Sequence, residues 1–208
     1  MKILIKNINS IESLPLKKPD WMEDKRWDKI PELKAQADKK RSFVSAYLLD
    51  SMCRDLEIAN PVYGYTENGK PFLCSADCAF NISHSGDYVV LAYHTNPGSV
   101  GVDVQKIRPM REGMERRLLH EKEYSHLPDD SDSRKHYLNS LWAVKESFVK
   151  MTGEGLSRDL RSIYVDFEAG TAMGEDGAIA CFSVWEWKED YYLAVCTTNR
   201  EESEIKEI

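Results

Sequence analysis

Asp103 and Glu146 lie 43 residues apart, and two lysines, Lys145 and Lys150, accompany the second of them. Two carboxylates can share a divalent cation such as Mg2+, which takes one or two carboxylates together with phosphate oxygens of a substrate. Neighbouring ammonium groups then offset the remaining phosphate charge. A diphosphate held in this way becomes a better leaving group, because cation and lysines stabilise the charge that develops in the transition state. Each segment also has a plainer reading. Asp103 could cap a turn or pair with an arginine, and a Glu–Lys pair one helical turn apart is commonly a surface ion pair worth about 0.2–0.5 kcal/mol.

The elements that must position these groups are legible around them. Val100-Gly101-Val102-Asp103-Val104-Gln105-Lys106 has the alternation of a strand whose valines face a core while Asp103 and Gln105 point the other way. Gly101 leaves room there for a ligand or another backbone to approach closely. An acid in so apolar a strand is costly to bury unless a cation or metal accompanies it. Glu146 lies on a helix expected over residues 134–151 and ending near Gly153. Leu141, Val144, Phe148 and Met151 follow the spacing of its buried face, and Trp142, Glu146 and Lys150 form an adjacent stripe.

Around these segments the chain reads as helix followed by strands, twice over. The start is an opening strand, and residues 20–58 are helical with a stripe of Phe43, Tyr47, Leu48 and Met52, stopped by Pro61. Strands follow near 63–65, 80–85 and 88–93, with Asn68-Gly69 marking a turn. In the second half, a charged helix spans about 111–126 after Pro109, a polar loop covers 128–133, and strands run over 163–167, 178–187 and 191–198. The expected fold is α+β, with two similar-sized, pseudo-symmetric halves, residues 1–99 and 100–208, and an active site in the cleft between them.

Composition excludes several classes. A chain of 208 residues with 42% apolar residues and five tryptophans folds around a real core. A net charge of −7 disfavours non-specific nucleic-acid binding, and no apolar run approaches a membrane span. Five cysteines, an odd number without an export signal, suit reduced thiols in the cytoplasm. Cys74 and Cys78 have the spacing of half a zinc site, but no second pair follows. Between Lys106 and Arg117, five basic residues (Lys106, Arg108, Arg111, Arg116, Arg117) outnumber Glu112 and Glu115, a local basic patch on an acidic protein.

Gly101-Val102-Asp103, followed by Trp142-Ala143-Val144-Lys145-Glu146-Ser147-Phe148-Val149-Lys150, resembles the signature of the Sfp-type 4′-phosphopantetheinyl transferases. Further stretches agree in order: Asn68-Gly69-Lys70-Pro71, Phe80-Asn81-Ile82-Ser83-His84-Ser85, Glu121-Lys122-Glu123-Tyr124-Ser125 and Gly153-Glu154-Gly155-Leu156-Ser157. The resemblance covers most of the chain, from about Arg41 to Ser157. It implies that Asp103 and Glu146 ligate magnesium, with Gln105 standing where many members carry a second acid. It also implies that Lys145 and Lys150 lie near the coenzyme A diphosphate. Ser83 and His84 would bind coenzyme A phosphates, Arg41 and Lys70 would add cations at its nucleotide end, and Glu123 would sit on the active-site rim.

On this resemblance the chain transfers the 4′-phosphopantetheine arm of coenzyme A to a serine of an apo acyl or peptidyl carrier protein. Asp103, Glu146 and Lys150 would be the catalytic groups and Mg2+ the cofactor, with adenosine 3′,5′-bisphosphate released. Two halves in one chain would let a monomer suffice. The rival readings are a non-catalytic coenzyme A or nucleotide-binding regulator on the same fold, for which Gln105 would mark a degenerate site, and a metal-dependent phosphodiesterase.

Overall fold

Alternating apolar residues build two sheets here, and each sheet carries one long amphipathic helix. The computed structural model describes residues 1–208 except 112, 156 and 157. The first half comprises β1 (Lys2–Asn7), α1 (Asp24–Glu32), α2 (Gln36–Asp55), β2 (Tyr63–Tyr65), β3 (Pro71–Leu73), β4 (Ala79–Ser85) and β5 (Tyr88–His94). The second begins with β6 (Val100–Lys106), α3 (Glu115–Leu118) and α4 (Ser131–Thr152). It continues with β7 (Ile163–Asp166), β8 (Thr171–Gly174), β9 (Ile179–Trp187), β10 (Tyr191–Thr197) and β11 (Glu204–Glu207).

One sheet has the order β11-β1-β5-β4, the other β6-β10-β9-β8-β7, and β2 and β3 form a separate hairpin. All pairs are antiparallel except β1 with β11. Period-two alternation divides each strand between two cores. Leu4, Val89, Leu91 and Tyr93 turn towards Val44, Leu48 and Met52 of α2. Ile3, Ile5, Val90 and Ala92 turn the other way, onto Val100, Val102, Val104, Leu193 and Val195 of the second sheet. Leu141, Val144, Phe148 and Met151 of α4 bury the far face of that sheet. The result is an α+β protein of two halves, each a helix on a sheet, joined through the faces the helices leave free.

Gly101 fixes the spacing between β6 and α4. A Cβ at this position would stand 2.0 Å from the Ser147 carbonyl oxygen and 2.4 Å from the Met151 amide nitrogen, both backbone. The close neighbour is thus the helix carrying Glu146 and Lys150. Gly101→Ala must push α4 away from β6, since backbone cannot rotate aside. We expect it to lower unfolding free energy in urea by about 2–3 kcal/mol, the upper range for overpacking.

Several elements differ from the sequence reading. Residues 20–58 hold two helices, and α2 ends at Asp55, ahead of Pro61. There Glu57 adopts left-handed backbone (φ 55°), Ile58 N–H donates to the Cys53 carbonyl (2.8 Å) and Glu57 N–H to that of Arg54 (3.1 Å). This is a Schellman stop with glutamate where glycine is usual. The helix expected over 111–126 is α3 followed by a 3-10 helix, Glu121–His126. His120 interrupts it with a reciprocal capping box: its ring accepts from Lys122 N–H while Glu123 accepts from His120 N–H. The tail adds β8 and also β11, which returns to the first sheet, so the last residues of the second half complete the core of the first.

Candidate active site

Asp103 leaves β6 on the α4 side and is only 5% exposed. Its Oδ1 accepts from Lys150 Nζ (2.5 Å) and Ser83 Oγ (2.7 Å), and Lys150 Nζ also donates to Ser83 Oγ (2.8 Å). Its Oδ2 is buried without a hydrogen-bond partner. A buried carboxylate oxygen left unpaired is expensive, so this atom is a lone pair open to a water, a cation or a substrate proton. Glu146 stands one turn before Lys150 and makes no hydrogen bond or ion pair among the described residues. Burial, then the Asp103 charge, raises its pKa, while Lys150 pulls it down. Two carboxylates against one ammonium form an under-neutralised pair, and that donor set fits a divalent cation.

Gln105 lies two residues beyond Asp103 on the same side of β6. Its Nε2 donates to the Lys106 carbonyl (3.3 Å), which leaves the side-chain carbonyl uncommitted. No group of three His, Cys, Asp or Glu side chains converges among the described residues. A cation here would therefore complete its shell from the Gln105 carbonyl, water or substrate oxygens. Cys74 is exposed, Cys78 half-buried, and neither belongs to a metal-ligating group among the described residues.

The unpartnered Glu146 has a consequence for stability. Its folded pKa stands above the unfolded one, so the unfolded chain loses the proton first. The folded state therefore loses stability as pH rises out of the ordinary glutamate range. Glu146→Gln removes that loss. In chelator, the variant is expected to melt above the wild type at pH 7, with the gap closing as pH falls towards 4.5. Differential scanning fluorimetry across pH checks this, and a variant less stable than wild type at pH 7 would count against it.

The first half supplies the opposite wall. Along β4, Asn81 Oδ1 accepts from Val102 N–H (3.0 Å), Ser83 Oγ from Val104 N–H (3.4 Å) and Ser85 Oγ from Lys106 N–H (3.1 Å). Alternate side chains of one strand thus satisfy alternate amides on the free edge of another. The Asn81-x-Ser83-x-Ser85 pattern was visible in the sequence, but Asn81 and Ser85 were assigned no role there. His84 points out of this seam. Its ring reaches solvent, yet desolvation by the surrounding protein, then Arg41 and Lys150, hold its pKa below the ordinary histidine value. At pH 7 without a bound anion, the neutral form predominates.

Arg41 donates to the Gly86 carbonyl (2.7 Å) and to Asp38 (2.5 Å), tying α2 to the turn after His84. Gly86 has φ 54°, and a Cβ on it would lie 2.3 Å from the Tyr191 hydroxyl oxygen. That oxygen accepts from Asp87 N–H (3.1 Å), so a tyrosine of the second half latches the turn from below. Sequence reading missed it, because a lone buried tyrosine carries no local signal.

Lys70 is committed elsewhere than the resemblance implies. Its ammonium donates to the carbonyls of Lys150 (2.5 Å), Met151 (3.3 Å) and Val100 (3.4 Å), capping the negative end of α4. Burial lowers its pKa to about 8. A cavity of about 200 Å³ beside it is lined by Asn68, Lys70, Asn81, Val149, Lys150 and Gly153. A larger one, about 430 Å³ between Tyr137 and Phe167, is lined by neither Asp103 nor Glu146.

Lys145 and Glu123 are the clear corrections. Both side chains are fully buried and pair with each other at 2.7 Å. Lys145 also donates to the carbonyls of Leu118 (2.7 Å) and Leu160 (3.1 Å). Glu123 accepts from the amides of His120 (2.8 Å) and Val165 (2.9 Å). Lys145 does not reach the Asp103 cluster, and Glu123 does not stand on a rim. Together they pin the α3 region and β7 to α4. The segment of resemblance at Leu156 and Ser157 lies outside the described residues.

The family model "4'-phosphopantetheinyl transferase superfamily" matches residues 99–196, and "4'-phosphopantetheinyl transferase, N-terminal" matches residues 20–96. The 4'-phosphopantetheinyl transferase ffp of Bacillus subtilis is 33% identical over 174 residues, 76% of this chain and 74% of that protein. Another 4'-phosphopantetheinyl transferase of Bacillus subtilis is 35% identical over 150 residues, 69% of this chain and 66% of its own. The 4'-phosphopantetheinyl transferase Sfp of Bacillus subtilis (strain 168) is 34% identical over 139 residues, 64% of this chain and 61% of that protein. Matches thus span about two thirds of these relatives' lengths. Among solved structures, holo-[acyl-carrier-protein] synthase of Thermotoga maritima overlays in part, with a TM-score of 0.38, 20% identity, and coverage of 47% of this chain and 61% of that one.

Proposed function

The chain belongs to the 4′-phosphopantetheinyl transferase family, and from that premise we propose that it moves the phosphopantetheine arm of coenzyme A onto a carrier-protein serine. The observation that carries this reading is the orphaned Oδ2 of Asp103, a carboxylate that binds Lys150 through Oδ1 and whose charge raises the pKa of Glu146. Asp103 and Glu146 would hold Mg2+, with the Gln105 carbonyl as a neutral third donor. The bound ion would neutralise charge developing on the diphosphate.

The residues divide the remaining work. Lys150 keeps one of its three N–H donors after bonding Asp103 and Ser83, and its side chain is 27% exposed, so it can reach a phosphate oxygen. Glu146, raised in pKa and unpartnered, takes the proton of the attacking serine hydroxyl, directly or through a water. His84 and Arg41 face the anionic ligand from β4 and α2, and an arriving phosphate would draw His84 towards its cationic form. Adenosine 3′,5′-bisphosphate leaves. Both halves come from one chain, so a monomer suffices, and the free cysteines suit the cytoplasm.

Mass spectrometry of an apo carrier protein incubated with the chain, coenzyme A and Mg2+ tests the reading. A gain of one phosphopantetheine arm supports it. Coenzyme A binding without a gain would favour a regulator.

Carrier proteins tend to be acidic, so docking on an acidic transferase calls for local basic surface. Arg108, Arg111, Arg116 and Arg117 are exposed and make no side-chain ion pair among the described residues, and Glu115 is neutralised by Arg134 at 2.6 Å. Glu112 lies outside the described residues. Reversing charge at Arg111 and Arg116 is expected to raise KM for carrier about tenfold, and more at low salt, while KM for coenzyme A stays constant. Equal effects on both would remove the docking role.

A further inference from the structure

The resemblance assigns Ser83 to the coenzyme A phosphates, but its hydroxyl is already committed. It donates to Asp103 Oδ1 (2.7 Å) and accepts from Lys150 Nζ (2.8 Å) and, more weakly, from Val104 N–H (3.4 Å). A serine hydroxyl has one proton and two lone pairs, so this uses its full capacity. The residue is 5% exposed, which leaves little surface for a ligand to touch.

We propose that Ser83 is a positioning residue for Asp103: its hydroxyl fixes Oδ1 so that the unpaired Oδ2 presents to the divalent cation. A carboxylate on a strand has freedom about its terminal torsion and can exchange its two oxygens. Lys150 alone cannot prevent this, since a flexible ammonium follows either oxygen. Ser83 sits on the neighbouring strand β4, registered against β6 by the Asn81, Ser83 and Ser85 bonds to the edge amides. Its oxygen is therefore placed by two sheets, not by its own rotamer alone. Groups that orient a metal ligand in this way typically govern affinity by about 10–100-fold. The inference rests on the proposed cation site at Asp103 and Glu146.

The experiment measures Mn2+ binding by electron paramagnetic resonance with coenzyme A at saturation and no carrier, alongside calorimetry of coenzyme A binding without metal. Ser83→Ala is expected to weaken Mn2+ about tenfold and leave metal-free coenzyme A affinity within twofold. Ser83→Thr, which keeps the hydroxyl, should restore most of the Mn2+ affinity. Asn81→Ala is the structural control. It removes the neighbouring seam bond to Val102, so it should lower Tm without moving Mn2+ affinity. The proposal is overturned if Ser83→Ala weakens coenzyme A but not Mn2+, or if Asn81→Ala weakens Mn2+ as much as Ser83→Ala does. Absence of Mn2+ binding by the wild-type protein would instead overturn the cation site itself. Wild-type binding left unchanged in Ser83→Ala would overturn this inference alone.

Discussion

Asp103→Asn is expected to lower the rate of carrier loading about a thousandfold at saturating Mg2+ and coenzyme A, at the upper end for loss of one preorganised electrostatic group. Asparagine has nearly the same shape. Its Oδ1 can still accept from Ser83 and Lys150, so β4, β6 and α4 keep their places. What disappears is the negative charge, together with the oxygen that stands unpaired in the wild type. The side chain then offers an N–H2 where a cation needs a lone pair. Lys150 loses the anionic partner that sets its position, while Glu146 is relieved of a like charge. Stability is therefore expected to hold or rise while activity collapses. Mass spectrometry of the carrier under single-turnover conditions reads the rate, and scanning fluorimetry reads the fold. Loading within tenfold of wild type would show that the chemistry does not pass through Asp103. A collapse in both readouts would make Asp103 a structural residue only.

The parts of this site written in local periodicity were legible in the sequence. Val100, Val102 and Val104 turning one way with Asp103 the other is a period-two pattern, and the two faces meet a sheet and a helix as the alternation demands. Leu141, Val144, Phe148 and Met151 likewise mark the buried face of α4. What failed was the direction of a second lysine. At 3.6 residues per turn, Lys145 and Lys150 project about 140° apart, so one site could not easily take both. Lys145 flanks the Leu141–Phe148 face, and a helical wheel alone would have sent it into the core. Ser83, Lys70 and Tyr191 were out of reach for another reason. Their roles depend on partners 20 to 104 residues away in a different element, and nothing local encodes such contacts. The strand β11 escaped because Glu204-Ile205-Lys206-Glu207 leaves most of both its faces to solvent and so shows no apolar alternation.

Lys145→Met should be among the most destabilising single substitutions in the chain, and it separates the two lysines that sequence treated alike. Methionine fills nearly the same volume but offers no donors. Glu123 would keep its two amide bonds and lose its counter-charge inside a fully buried site. The carbonyls of Leu118 and Leu160 would lose a donor as well. Removing one partner of a buried ion pair costs about 3–5 kcal/mol. In a protein of this size that corresponds to a fall in Tm of roughly 10 °C or more. Lys150→Met should cost less stability than Lys145→Met, because its side chain is partly exposed and Asp103 keeps the Ser83 bond, while carrier loading fails. The decisive arm is the double variant Lys145→Met with Glu123→Gln. It leaves no charge in the pocket and should recover much of the lost stability, because an uncharged amide costs far less to bury than an unpaired carboxylate. If Lys145→Met instead melts like the wild type and fails to bind coenzyme A, its ammonium belongs to the diphosphate after all, and α4 must rotate to deliver it.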